Sequence, residues 1–164
     1  MPDLGAPWTN RGEPAGRRTD HNCFGCGRGN DAGLQLSFTD DPDGNGVRTT
    51  FVPAVHVEGY TGLVHGGIIT TVLDEVMAWR LARHGIWAVT GALTTRCREP
   101  IRIGQPTLAT GAIVRDRGRA LELRGEIRDR DDRRLLTEAT ATFIRVPEAQ
   151  AKEWAERYVS PVTT

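Results

Sequence analysis

The chain has 164 residues, 38% hydrophobic and 26% charged, which suits a single soluble globular domain long enough to bury a real core. Its 21 Lys and Arg balance 21 Asp and Glu, so no global field recruits nucleic acid or an anionic membrane, and an anionic ligand must be held by local groups. No apolar run approaches the ~20 residues that a membrane helix needs.

Residues 1–20 are rich in Gly, Pro and charge and lack the apolar core of a secretory signal. They predict a mobile arm ahead of one domain over 21–164, a cytoplasmic location, and reduced thiols for the three cysteines. From Gly33 the pattern changes. "LQLSFTD" and "GVRTTFV" alternate, and "DPDGNG" between them is a turn signal, so a hairpin is expected.

A loop then leads into a helix expected from Gly66 to about His84. Ile69, Val72, Leu73, Val76, Met77 and Leu81 recur at spacings of three and four, which makes an apolar stripe, and Gly85 is a stop signal. Trp79, Trp87 and Met77 are read as core. Four strand-like runs follow, "AVTGALTTRCREP", "PTLATGAIVRD", "RALELRGEIRD" and "RLLTEATATFIRV", expected in hairpin succession. A short amphipathic helix is expected over about 147–158. The order is α+β, and one apolar helix has only the sheet to cover it.

Asp74 sits in the apolar middle of that helix. A buried carboxylate costs several kcal/mol unless partnered, so either it caps or pairs with a neighbour such as Arg80, or it does chemistry. Gly67 lies seven residues earlier, close to two helical turns, so the two share a face. The first amides of a helix have no intrahelical partner and carry partial positive charge. An amide donor and a carboxylate on one face can bracket a thioester: the N–H polarises the carbonyl, and Asp74 activates water or attacks as a nucleophile. Glu75 points about 100° away and is read as a surface or interface salt bridge.

"CFGCGRGNDAGLQL", "HVEGYTGLVHGG", "IITTVLDE", "VTGALTTRCREPIRIG" and "LLTEATATFI", in this order and spacing, resemble the hotdog-fold acyl-CoA thioesterases of the phenylacetate-pathway type and similar human thioesterase-superfamily members. The likeness covers roughly residues 21–146. It implies a curled antiparallel sheet of about six strands around one long central helix. It implies an acyl-CoA substrate, no cofactor and no metal. It further implies a homodimer or dimer of dimers with the site at the interface. The family's catalytic carboxylate lies nine residues after the motif histidine, as Asp74 lies after His65. A hydroxyl residue sixteen positions beyond the carboxylate, here Thr90, helps hold water and comes in the family from across the dimer.

Gly66 is a candidate for substrate binding, and His65 either orients the loop by hydrogen bonding or contributes to the carbonyl site. Arg96 and Arg98, with Arg115, Arg117 and Arg119 about the "DRGR" turn, are candidates for the coenzyme A phosphates. One departure stands out: some members place Asn or Gln six residues before the histidine, where this chain has Gly59.

Two alternatives remain beside hydrolysis. One is a non-catalytic acyl-thioester binder. The other, a hydroxyacyl-thioester dehydratase using His56, is disfavoured because Thr70 occupies the position of its carboxylate. "HNCFGCG" offers His21, Cys23 and Cys26 as zinc ligands, but a closed site needs four. Only Cys97 remains, within a strand. The resemblance makes this segment a turn into the first strand, so no metal is expected.

Overall fold

The computed structural model describes residues 20–44 and 46–159; the expected arm over 1–20 lies, apart from Asp20, outside the described residues. The elements are β1 Thr39–Asp40, β2 Val47–Phe51, α1 Gly66–Arg83, β3 Ala88–Cys97, β4 Thr107–Asp116, β5 Ala120–Asp129, β6 Leu135–Arg145 and α2 Glu148–Tyr158. The strands form one antiparallel sheet in the order β1-β2-β4-β5-β6-β3. The sheet curls around α1, which packs on β2, β3, β4, β5 and β6. This is the hotdog fold that the motifs imply.

α1 forms where the apolar stripe lies. Val72, Leu73, Val76 and Met77 are fully buried, as are Leu121, Leu123, Ile127 and Phe143 of the sheet that covers them. Burying each such side chain stabilises the fold by roughly 1.5–3 kcal/mol. Trp79 stacks on Phe38 with ring centres 4.8 Å apart, in keeping with its core reading. The helix stops at Gly85, whose φ of 68° suits a residue without Cβ. Its N–H bonds Ala82 O and the Ile86 N–H bonds Leu81 O, both at 3.0 Å, a Schellman ending.

Close seating of α1 needs Gly111 of β4. A Cβ there would lie 2.6 Å from Val76 O, so strand and helix backbones touch at this point. No helix among the described residues is long and apolar enough to cross a membrane.

Two expectations are corrected. Residues 34–38 do not form strand, although Leu36 and Phe38 are buried as the alternation suggests. The Leu34 and Leu36 N–H groups bond Phe24 O and Gly25 O, so the segment is tied to the cysteine turn and pairing with β2 is left to Thr39 and Asp40. Nor do the last four strands follow one another as hairpins. β4, β5 and β6 do, but β3 lies at the far edge beside β6. Nine residues separate β3 from β4, with Pro100 and Pro106 among them; so long a link crosses between sheet edges and is not a tight turn.

Candidate active site

α1 begins at an exposed turn. His65 is the N-cap, and its Nδ1 accepts the Gly67 N–H at 2.9 Å. The Ile68 and Ile69 N–H groups go to His65 O. The Gly66 N–H has no partner among the described residues, and a Cβ on Gly66 would meet nothing within 4 Å. The sequence leaves the Gly67 amide open to a ligand; in the structure it is the Gly66 amide that is open, while Gly67 is capped. The signal is visible in the sequence: imidazole two residues before an amide is a side-chain cap in waiting.

Two turns along the same face, Asp74 meets β3. Thr90 Oγ1 donates to Asp74 Oδ1 at 2.6 Å, and nearer the helix start Thr70 Oγ1 and Thr95 Oγ1 lie 3.2 Å apart. Burial raises the Asp74 pKa above the ordinary aspartate value; the Thr90 hydroxyl works against this, and the nearby Cys23 charge adds to it. Asp74 makes no ion pair among the described residues. The Arg80 pKa is lowered chiefly by burial, with Asp40 working against this and Arg83 adding to it, and Asp74 has no part in its shift. The capping or salt-bridge reading of Asp74 therefore has no support in the geometry.

Thr90 faces the helix because of a bulge. Leu93 and Thr95 point inward, and unbroken alternation would turn Gly91 inward and Thr90 out. Instead Thr90 pairs with Phe143 and Ala92 with Thr142, so Gly91 is the extra residue and Thr90 takes the inward place. A Cβ at Gly91 would lie 3.0 Å from Ile144 Cγ1. The family resemblance brings this hydroxyl from a second subunit, whereas here the chain's own Thr90 reaches Asp74.

The other expected residues are scattered. Arg98 pairs with Glu138 and Arg117 with Glu122, each at 2.6 Å. Arg96 and Arg119 make no ion pair among the described residues, and Arg119 borders a shallow depression with Gly118 and Arg145. None of the four arginines contacts Asp74 or Thr90. Gly59, at the departure from the family pattern, abuts His65: a Cβ there would be 3.1 Å from His65 Cα. His56 lines a separate groove with Leu34, Arg48 and Arg133.

Glu75 departs furthest from expectation. It is no surface salt bridge: Cys23 Sγ lies 3.3 Å from its Oε1, and burial and the Cys23 charge push it up to about 7. Cys26 donates to the Cys23 sulfur, which brings Cys23 down to about 4 and holds Cys26 up. None of the three cysteines is in a disulfide, and Cys97 is exposed on β3.

The thioesterase superfamily profile matches residues 61–136, a span that holds the HGG turn, Asp74 and Thr90. Over 96 residues the chain is 31% identical to acyl-coenzyme A thioesterase THEM4 of Mus musculus, covering 58% of this chain and 41% of that protein. The chain thus spans well under half the length of this curated relative. A crystal structure of a thioesterase superfamily protein gives a TM-score of 0.69 at 26% identity, covering 75% of this chain and 60% of the other. The PaaI protein of E. coli, from the phenylacetic acid degradation operon, gives 0.63 at 18% identity, covering 70% and 81%. These likenesses bear out the resemblance read from the motifs.

Proposed function

We propose that this chain, a relative of the thioesterase superfamily in sequence and fold, is a cytoplasmic acyl-CoA thioesterase that uses water to split a thioester into a carboxylic acid and coenzyme A. The observation that carries this reading is the 2.6 Å bond from Thr90 to Asp74, on the face of the helix whose first amide stands open. The thioester carbonyl takes the Gly66 N–H, and the Gly67 N–H joins when His65 turns away. The positive end of the helix then steadies the oxyanion. Asp74 removes a proton from a water held by the Thr90 hydroxyl, the hydroxide adds to the carbonyl carbon, and the proton passes to the departing sulfur. Direct attack by Asp74, through an anhydride that water opens, uses the same atoms. A pKa raised by burial makes the ionised Asp74 carboxylate a stronger base than an ordinary aspartate.

Arg96, Arg98, Arg117 and Arg119 supply cationic donors for the coenzyme phosphates. β3 is an edge strand of ten residues, largely exposed, and such an edge invites pairing with a second copy. A homodimer, or a dimer of dimers, would add a second wall beside Thr90. A non-catalytic acyl-thioester binder is the second reading, favoured by the closed His65–Gly67 cap. His56, in its own groove, lends nothing to a dehydratase.

The test is thiol release from short, aromatic and long acyl-CoA substrates by the wild type and by folded Asp74→Asn protein. Turnover that vanishes in Asp74→Asn is expected. Substrate binding with no thiol release in the wild type would leave the binder reading in its place.

A further inference from the structure

The cysteine turn at the start of the described chain is bound to α1 at the residue next to Asp74. We propose that Cys23, Cys26 and Glu75 form a binding site for a zinc-class divalent cation that clips residues 20–38 to the helix.

The geometry is that of ligands awaiting a centre. The two sulfurs and a Glu75 oxygen all lie within 4.8 Å of one another, and Cys23 Sγ is 3.3 Å from Glu75 Oε1. Around a tetrahedral cation with sulfur at about 2.3 Å and oxygen at about 2.0 Å, neighbouring donors sit roughly 3.5 Å apart. Cys23-Phe24-Gly25-Cys26-Gly27 is a tight knuckle, closed by the Gly27 N–H on Cys23 O at 2.9 Å. The Gly25 and Cys26 N–H groups donate to the Cys23 sulfur, and the Trp79 side chain donates to Cys26. Donors aimed at sulfur are what a metal-bound thiolate needs from its surroundings.

Gly25 is required there for a second reason. A Cβ on it would fall 2.2 Å from Glu75 Cγ, so the knuckle lies directly on the carboxylate. His21, the other donor of this segment, lies outside the group of three whose ligand atoms are within 4.8 Å of one another. Its Nδ1 accepts the Cys23 N–H at 3.3 Å, and its Nε2 is buried with no hydrogen-bond partner. The sequence alone argues against a cation because a further ligand is lacking. The fold supplies one from 52 residues downstream of Cys23. Two thiols and a carboxylate make a soft, anionic donor set that suits zinc over magnesium or calcium. Binding displaces the Cys26 thiol proton to solvent. The cation would anchor Glu75 and leave Asp74, on the next face, free for substrate.

The whole chain, purified reduced and without chelator, is titrated with cobalt(II) as a spectroscopic stand-in for zinc. Stoichiometric uptake is expected, with a thiolate-to-cobalt charge-transfer band, the d–d bands of a tetrahedral site and quenching of Trp79 emission. Cys23→Ser and Cys26→Ser should abolish the bands, and Glu75→Gln should weaken affinity by at least the ~10–100-fold that outer-shell changes cost. Cys97→Ser should leave them intact. Because Cys26 is buried and its variant can fail to fold, the wild type is also melted with zinc and with a strong chelator, and its melting temperature should rise with free zinc. Three results would overturn the site: no bands in the reduced wild type, bands that survive Cys23→Ser, or a Cys23–Cys26 disulfide in a protein that, once reduced, takes up no cation.

Discussion

Thr90 Oγ1 reaches Asp74 Oδ1 at 2.6 Å within one chain, joining the middle of α1 to the start of an edge strand. A hydroxyl that donates to one carboxylate oxygen leaves the other oxygen and its own lone pairs to position water. The two residues therefore differ in what they contribute. Asp74→Asn should lower kcat by about 10²–10⁴, the range for loss of a general base. Thr90→Ala, which loses one hydrogen bond to a charged group, should cost about 10-fold or somewhat more, and Thr90→Ser should recover most of it. Steady-state thiol release from an acyl-CoA substrate measures all three. Equal losses in Asp74→Asn and Thr90→Ala would refute this division of labour.

The Gly91 bulge is what turns that hydroxyl inward, so its effect should run through Thr90. Gly91→Val would place a Cβ only 3.0 Å from Ile144 Cγ1 and 3.2 Å from Thr142 O, with two methyl groups still to seat beyond it. The bulge should yield and Thr90 should leave Asp74. Activity is expected to fall to about the Thr90→Ala level, with the double variant little worse than either. Residues acting as one unit are non-additive in this way. Multiplied losses would mean that Gly91 acts by another route.

The helix and its carboxylate are legible in the sequence because both signals are local. A stripe at spacings of three and four and an acid within it need no partner to be seen. The site's second half is less so: Thr90 is found through resemblance, and its inward turn depends on an extra residue in one strand, which no alternation pattern reveals. Neighbours in sequence usually pair, which predicts β3 beside β4; its place next to β6 depends on long-range packing. The Leu34–Phe38 alternation marks burial correctly but not strand, since those amides have partners in the cysteine turn. Glu75 reads as surface because the thiol that covers it comes from 52 residues earlier.

Gly111 fixes how closely β4 approaches α1, and its replacement should destabilise the fold. In Gly111→Ala the new Cβ would lie 2.6 Å from Val76 O and 2.8 Å from Val76 C. These are backbone atoms and cannot swing aside. Overpacking of this kind costs about 1–3 kcal/mol, against roughly 0.4–1 kcal/mol regained from a stiffer unfolded chain. A melting temperature lower by several degrees is expected; an unchanged or higher one would show that helix and sheet can part freely.

Asp129 should contribute acid sensitivity to stability. Gln105 Nε2 donates to it at 2.7 Å, and the Asp131 and Asp132 N–H groups at 2.9 and 3.2 Å. These bonds, Gln105 first, hold its pKa below the ordinary aspartate value. A folded-state pKa below the unfolded one gives stabilisation that is present above the unfolded pKa and is lost as pH falls through the folded pKa. Asp129→Asn should therefore flatten the acid side of a stability-versus-pH curve from denaturant melts and leave its neutral-to-alkaline slope alone. A curve parallel to the wild type throughout would show that Asp129 is not linked to folding.

His65 holds the amide that the chemistry would use, so stability and turnover should separate there. Its Nδ1 satisfies the Gly67 N–H, and removing a helix cap costs about 0.5–2 kcal/mol. His65→Ala should melt earlier, yet it exposes a second helix-end donor next to the open Gly66 amide, so its kcat/KM should hold or rise. His65→Asn restores a cap through a shorter side chain and should return both stability and kcat/KM toward the wild type. Opposite movement of the two quantities in His65→Ala is the signature of a residue that guards the oxyanion site. A collapse of turnover comparable to that of Asp74→Asn would instead make His65 a direct participant in proton transfer.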